Sequence, residues 1–238
     1  MISESQLKIS SADGHTFNSY VAAPNAKGPL PAIVLIQEIF GINDNMRWTA
    51  KRFAEAGFLV AAPDLFWRAS PGIELDPADP QQRARAMELN GSFDSQSGLS
   101  DCRQAVEQLR RHPSCNGRVG ALGYCLGGRL AFLLAMQEVV DVSICFYPVA
   151  VQPQLTTMQA SPVPLLVHLG AEDALCGPEA QQQIKEFVEG IKGNRVIIHE
   201  KVGHGFARWG RTGTAATAAE SAELTSIEFL DRHLAGER

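Results

Sequence analysis

Cys125 stands in Val119-Gly-Ala-Leu-Gly-Tyr-Cys-Leu-Gly-Gly128, between an apolar run and the helix-forming stretch Arg129-Leu-Ala-Phe-Leu-Leu-Ala-Met136. A cysteine in a Gly-x-Cys-x-Gly turn between strand and helix has the form of a nucleophile elbow, with sulfur where serine oxygen is usual. The nucleophile of such an elbow occupies a strained backbone position, so its neighbours two before and two after must be small. Gly123 and Gly127 satisfy this. The N-terminus of the next helix points N–H groups and partial positive charge at the site, which favours a thiolate and a developing oxyanion. The Leu126 N–H is therefore the expected oxyanion donor. The competing reading of Cys125 is a small buried hydrophobe in a glycine-rich turn. That reading is preferred for Cys102, on an apolar helix face, and for Cys145, inside a strand. Cys115 and Cys176 read as loop residues with no activating neighbours.

A thiol nucleophile needs a base, and the base needs an acid to fix its tautomer. On this elbow the order along the chain is nucleophile, acid, histidine, with the last two in loops after later strands. Ala171-Glu-Asp173 follows the run ending His168-Leu-Gly170, and Glu200-Lys-Val-Gly-His204 follows Val196-Ile-Ile-His199. His204 lies between Gly203 and Gly205, where the backbone turns freely. Spacing alone does not separate Glu172 from Asp173; the shorter acid at a loop turn is favoured as the orienter. His168 and His199 fall within strand patterns and are expected in the core or at the sheet edge, while His15, His112 and His233 are expected to be exposed. No histidine or cysteine spacing resembles a zinc site, and the chemistry needs no metal or organic cofactor.

The elements that must position these groups are visible as alternating patterns. Asp13-Gly14 separates two β-prone runs within Leu7–Val21, a short-hairpin signal. From Pro31 onward, apolar runs without polar alternation recur at Ala32–Ile36, Phe58–Ala62, Val119–Leu122, Val142–Phe146, Pro164–Leu169 and Arg195–His199, as expected for strands buried on both faces. Helical spacing links Met46, Ala50, Phe53 and Gly57, then Leu99, Cys102, Val106 and Leu109 with Ser100 or Asp101 as cap, and finally Leu224, Ile227, Leu230 and Leu234. Arg68 to Ser97, with its prolines, is expected to be a long excursion holding one short helix near Arg83–Leu89. The expectation is a single domain over residues 1–238 with an α/β-hydrolase fold: a mostly parallel central sheet, helices on both faces and an N-terminal antiparallel hairpin.

Composition excludes other classes. With 45% hydrophobic and 20% charged residues the chain is globular in character. A net charge of -5 and the lack of a basic run leave no footprint for nucleic acid. No apolar run approaches a membrane helix, and the start of the chain does not read as a secretory signal. Five cysteines, an odd number without paired spacing, point to a reducing cytoplasm. The expected partner is a small molecule, not nucleic acid or membrane, and the expected state is a monomer.

Gln37-Glu-Ile-Phe-Gly-Ile-Asn43, Ala62-Pro-Asp-Leu65, Gly123-Tyr-Cys-Leu-Gly-Gly128 and Gly203-His-Gly-Phe-Ala-Arg208 together resemble the dienelactone hydrolases (carboxymethylenebutenolidases), in order and over essentially the whole chain. The resemblance implies a Cys125–Asp173–His204 triad. It also implies that Glu38, at the end of the first parallel strand, contacts the thiol in the resting enzyme and helps deprotonate it. A carboxylate beside a thiol can exchange a proton near neutrality; the plainer reading of Glu38 is a strand-end acid in a salt bridge. The Ile39 N–H would be the second oxyanion donor. Arg83 and Arg208 match the two arginines that hold the substrate carboxylate, with Arg85 an alternative to Arg83 and a solvated helix charge the plainer reading of either. Met87 and Asn90 stand where the family carries aromatic pocket residues. Phe40, Phe66, Trp67, Phe206 and Trp209 could wall the pocket, although Phe40 and Phe66 fit the core equally well. The implied activity is opening of a carboxylated enol-lactone in the degradation of aromatic compounds. Its rivals are a broader carboxylesterase or thioesterase on the same scaffold, and a non-catalytic thiol-sensing or ligand-binding protein.

Overall fold

A computed structural model describes residues 1–234. The chain divides into two compact units, Met1–Val119 and the residues from Gly120 on.

In the first unit, β1 (Ile2–Ser10) and β2 (Thr16–Pro24) pair antiparallel from Ile2 opposite Pro24 to Ser10 opposite Thr16. Gly14, at φ 86°, turns the chain between them, as the Asp-Gly signal predicts. The hairpin is longer than expected because β1 starts at Ile2, where residues 2–6 lie at the surface and lack an apolar alternation to announce them. β3 (Leu30–Ile36) and β4 (Leu59–Pro63) run parallel, and β4 pairs antiparallel with β2, giving the order β1-β2-β4-β3. Their apolar sequences follow from burial: every residue of β4, and Ala32 to Ile36 of β3, is buried.

Three helices complete this unit. α1 (Asp44–Glu55) is capped by Asn43, whose side chain accepts from the Met46 N–H, and packs against β2 and β4. α2 (Pro80–Gly91) begins after Asp79, which accepts from Gln81 and Gln82. α3 (Ser95–Arg110) is capped by Asp94, not by Ser100 or Asp101. Asp101 is wholly buried within α3, where it accepts from Trp67 Nε1 at 2.9 Å and pairs with Arg68. The excursion before α2 is tied down at several points: Asp64 accepts from the Phe66 and Gly72 N–H groups, and Arg47 pairs with Glu74 at 2.6 Å. Burial pushes the Asp64 carboxyl above its ordinary range.

The second unit opens inside β5 (Cys115–Tyr124), so Cys115 begins a strand and is not a loop residue. β6 (Val142–Phe146), β7 (Leu165–Gly170) and β8 (Arg195–His199) follow in the order β5-β6-β7-β8, every pairing parallel. α4 (Leu126–Met136) packs against β6, α5 (Pro178–Glu189) against β8, and α6 (Gly213–Leu234) against β6 and β7. Two of the histidines expected outside are half-buried: His112, after α3, and His233, which packs on Phe229 with ring centroids 4.7 Å apart. Phe40 and Phe66 belong to the core of the first unit.

Candidate active site

β5 delivers Cys125 to the N-terminus of α4 with φ 56° and ψ -113°, a conformation that bulky L-residues rarely hold. The turn is enforced by close backbone contacts. A Cβ on Gly123 would lie 2.0 Å from the Gly127 oxygen, and one on Gly128 would lie 2.7 Å from the Phe146 oxygen. Gly128, not singled out from the sequence, thus lets α4 approach the end of β6. The Cys125 N–H donates to the Phe146 carbonyl at 3.0 Å, and its own carbonyl accepts from Arg129 and Val149. Leu126 is the first residue of α4, so its N–H has no carbonyl one turn back within the helix. Cys125 is 6% exposed, nearly enclosed yet not sealed.

The loops after β7 and β8 meet within the same unit as this turn. A Cβ on Gly170 would lie 2.6 Å from the Val202 oxygen, and the Glu172 N–H donates to that same oxygen at 2.9 Å. This packing turns the Glu172 side chain outward and buries Asp173. Asp173 Oδ2 lies 2.8 Å from His204 Nδ1, and Oδ1 accepts from the Leu175 N–H at 2.8 Å. Both carboxylate oxygens are therefore engaged. The other imidazole nitrogen, Nε2, is buried and makes no hydrogen bond among the described residues. It is suited to receive a proton.

Arg208 is half-buried and its guanidinium packs over Gly205, where a Cβ would come within 2.8 Å of Cζ. Gly205, at φ 71°, is required by the turn, and a side chain there would also displace the arginine's mobile end. Arg211, which sequence reasoning passed over, donates twice to the Gly205 carbonyl, at 2.9 and 3.2 Å. Phe206 is buried and Trp209 is 60% exposed. Tyr147 also escaped sequence reasoning. Its ring sits 4.9 Å from that of His204, edge to face, but a tyrosine at a strand end carries no signal of such a contact.

The remaining predicted residues lie in the first unit. Glu38 is buried just beyond β3, next to Gln37, whose side chain donates to the Glu38 carbonyl and accepts from the Leu65 N–H. Ile39 follows in the turn, half-buried. Arg83 is exposed on α2 and its guanidinium donates to the Pro77 carbonyl at 2.9 and 3.2 Å. Arg85 pairs with Glu88 at 3.0 Å, Met87 is 58% exposed and Asn90 is half-buried. Trp67 stacks on Phe17 and is covered by Arg68, with Cζ 4.2 Å from the ring centre. Among the described residues no group of acidic, histidine or cysteine side chains could hold a metal, and no helix is long and apolar enough to cross a membrane.

A strained cysteine at a strand-to-helix turn, with histidine and acid on later loops, defines a protein of the α/β-hydrolase fold. Solved structures agree: a protein from Klebsiella pneumoniae subsp. pneumoniae MGH 78578, provisionally named a dienelactone hydrolase, superimposes with a TM-score of 0.80 over 98% of this chain and 99% of its own, at 22% identity. The dienelactone hydrolase-like P91 from metagenomic libraries gives 0.76 at 19% identity, covering 98% of each chain. The model of the dienelactone hydrolase family matches residues 17–234, and the chain belongs to that family of hydrolases. It is 40% identical over 227 residues to the carboxymethylenebutenolidase of Pseudomonas putida, covering 94% of each chain. It is 36% identical to carboxymethylenebutenolidase 1 of Cupriavidus pinatubonensis, over 94% of this chain and 95% of that one.

Proposed function

We propose that this hydrolase opens an enol-lactone such as a dienelactone (carboxymethylenebutenolide) to a dicarboxylate such as maleylacetate, through a cysteinyl acyl-enzyme. The observation that carries this reading is the 2.8 Å His204–Asp173 pair in the same unit as the strained Cys125. The names of the relatives supply the substrate class.

In this mechanism His204 Nε2 takes the Cys125 proton and the thiolate adds to the lactone carbonyl carbon. The Leu126 N–H and, on the family pattern, the Ile39 N–H receive the oxyanion; one such donor is typically worth about 10²–10³-fold in rate. Collapse breaks the ring C–O bond, and the enolate leaves as a stabilised anion that takes the proton from the His204 imidazolium and becomes the ketone, returning His204 to its neutral form. Water, deprotonated by His204, then attacks the thioester, freeing the carboxylic acid and restoring the thiol. Glu38 is assigned the thiol contact of the resting enzyme, and Arg208 with Arg83 the substrate carboxylate. We place the enzyme in the cytoplasm, as a monomer acting in the breakdown of aromatic compounds.

A second reading, a broader carboxylesterase or thioesterase, is favoured by the engagement of Arg83 with Pro77 and by Met87 in place of a pocket tyrosine. Steady-state hydrolysis of cis- and trans-dienelactone and of a neutral aryl ester separates the two. Wild type is expected to prefer a dienelactone, Cys125→Ala to lose turnover while folding normally, and Arg208→Ala to lose more on the carboxylated lactones than on the ester. Preference for the neutral ester would establish the broader esterase. Labelling of Cys125 without turnover of any substrate would establish a thiol sensor instead.

A further inference from the structure

We propose that Tyr147 is a positioning residue for His204, fixing the tilt of the imidazole that Asp173 alone leaves free. The inference rests on the reading of His204 as the base.

Tyr147 follows the last residue of β6 and adopts φ 36°, a backbone state that costs a bulky residue free energy and persists only where surroundings enforce it. Its side chain is completely buried. Two backbone bonds enforce the conformation. The Tyr147 N–H donates to the His168 carbonyl at 2.7 Å, and the preceding carbonyl, that of Phe146, accepts from the Cys125 N–H at 3.0 Å. Two residues further on, Val149 donates to the Cys125 carbonyl. The segment from Phe146 to Val149 thus grips the nucleophile through both of its backbone groups.

The same segment reaches the base through the Tyr147 ring. Ring centroids of Tyr147 and His204 are 4.9 Å apart with planes at 64°. Phe206 backs the tyrosine at 5.5 Å and 67°, and Tyr124 lies 5.9 Å away on β5. One hydrogen bond, from His204 Nδ1 to Asp173, defines a direction but not a plane, so the imidazole can rock about that axis. Rocking moves Nε2, the atom that must meet the thiol. An edge-to-face contact with an immobile ring removes this freedom, because aromatic pairs have a preferred mutual orientation. The strained residue therefore couples the nucleophile's backbone to the base's plane within one short stretch of chain.

The test compares Tyr147→Phe, which keeps the ring, with Tyr147→Leu, which fills space without it. Tyr147→Met serves as a second ring-free variant should leucine not fold. Kinetics are normalised to folded protein, and the His204 imidazole signal is followed by NMR in histidine-labelled enzyme. Tyr147→Phe should remain within about threefold of wild type. The ring-free variant should lose roughly 10- to 100-fold in kcat with KM within about threefold, the scale on which small misplacements act. It should also show a shifted or broadened His204 signal. In an Asp173→Asn background the same substitution should cost less, since both groups constrain one ring. A ring-free variant with wild-type kcat and only a lower melting temperature overturns the proposal, as does a Tyr147→Phe loss equal to that of the ring-free variant. Turnover by Cys125→Ala would instead overturn the underlying mechanism.

Discussion

Asp173 illustrates how much one residue's two oxygens can decide. Oδ1 accepts from the Leu175 N–H while Oδ2 faces His204 Nδ1, so an asparagine here must keep its carbonyl on Leu175 and turn its NH₂ toward the ring. Nδ1 then becomes the acceptor, Nε2 carries the proton, and the base cannot take one from Cys125. Asp173→Asn is expected to fold normally and lose roughly 10³–10⁴-fold in kcat, by analogy with the same change in a serine protease triad. Loss of less than tenfold in a steady-state lactone assay would remove Asp173 from the proposed triad. Spacing in the sequence does not separate Glu172 from Asp173, and Asp173 is favoured there only as the shorter acid at a loop turn. They differ in the structure because the Glu172 N–H is fixed on Val202, which settles which side chain points inward. Cys125 and its flanking glycines were legible because their spacing is a backbone requirement. Tyr147 was not, since its role depends on a loop 57 positions further along the chain.

At the scale of elements, apolar runs located β6 and β8 to the residue: β6 is short and buried throughout, and β8, partly buried as the last strand of the order, keeps a short apolar run with clear ends. Helix starts were harder to read. Asp94 and Asp101 are chemically alike, but Asp94 precedes the helix and accepts from the Gln96 and Ser97 N–H groups, while Asp101 lies inside it and pairs with Trp67 and Arg68. β7, β8 and α6 share a feature that no periodicity announces. His168 Nδ1 lies 3.0 Å from His199 Nε2, and His168 Nε2 lies 3.1 Å from the buried Ser226 hydroxyl. Burial holds both imidazoles below their ordinary value of 6.5, with His199 and Arg195 adding positive charge against His168. Below about pH 6.5 the unfolded chain binds protons that the folded pair refuses, so stability is intact above that value and falls as pH drops toward the depressed folded values. Melting temperatures between pH 7.5 and 5 should decline for the wild type and decline less for a His168→Leu/His199→Phe double variant. Parallel curves would show that the pair is not the source.

For the molecule as a whole, composition and the order of motifs already pointed to one family, while the accessibility of individual groups awaited the packed structure. The five cysteines show the difference, because none of them forms a disulfide in the structure. Burial pushes Cys145 up to about 12 and Cys176, with Asp173 nearby, to about 11; Cys102 is also pushed up by complete burial. Their thiolate fractions near neutrality are negligible. An aromatic disulfide reagent at pH 8 should therefore modify Cys115 and Cys125 in the native protein and reach Cys102, Cys145 and Cys176 only on unfolding, as read by peptide mass spectrometry. Rapid native modification of Cys102 or Cys145 would contradict their complete burial, and that of Cys176, no less exposed than Cys125, would contradict its raised thiol. The glycine contacts around the elbow carry a different consequence, for how such a chain can diversify. Exchanging sulfur for oxygen at position 125 alters one atom and leaves every backbone contact in place, whereas any side chain at 123 collides with a carbonyl 2.0 Å away. The atom proposed to react is thus the replaceable part and its backbone cradle the constrained one, so a change of chemistry at position 125 need not disturb the turn.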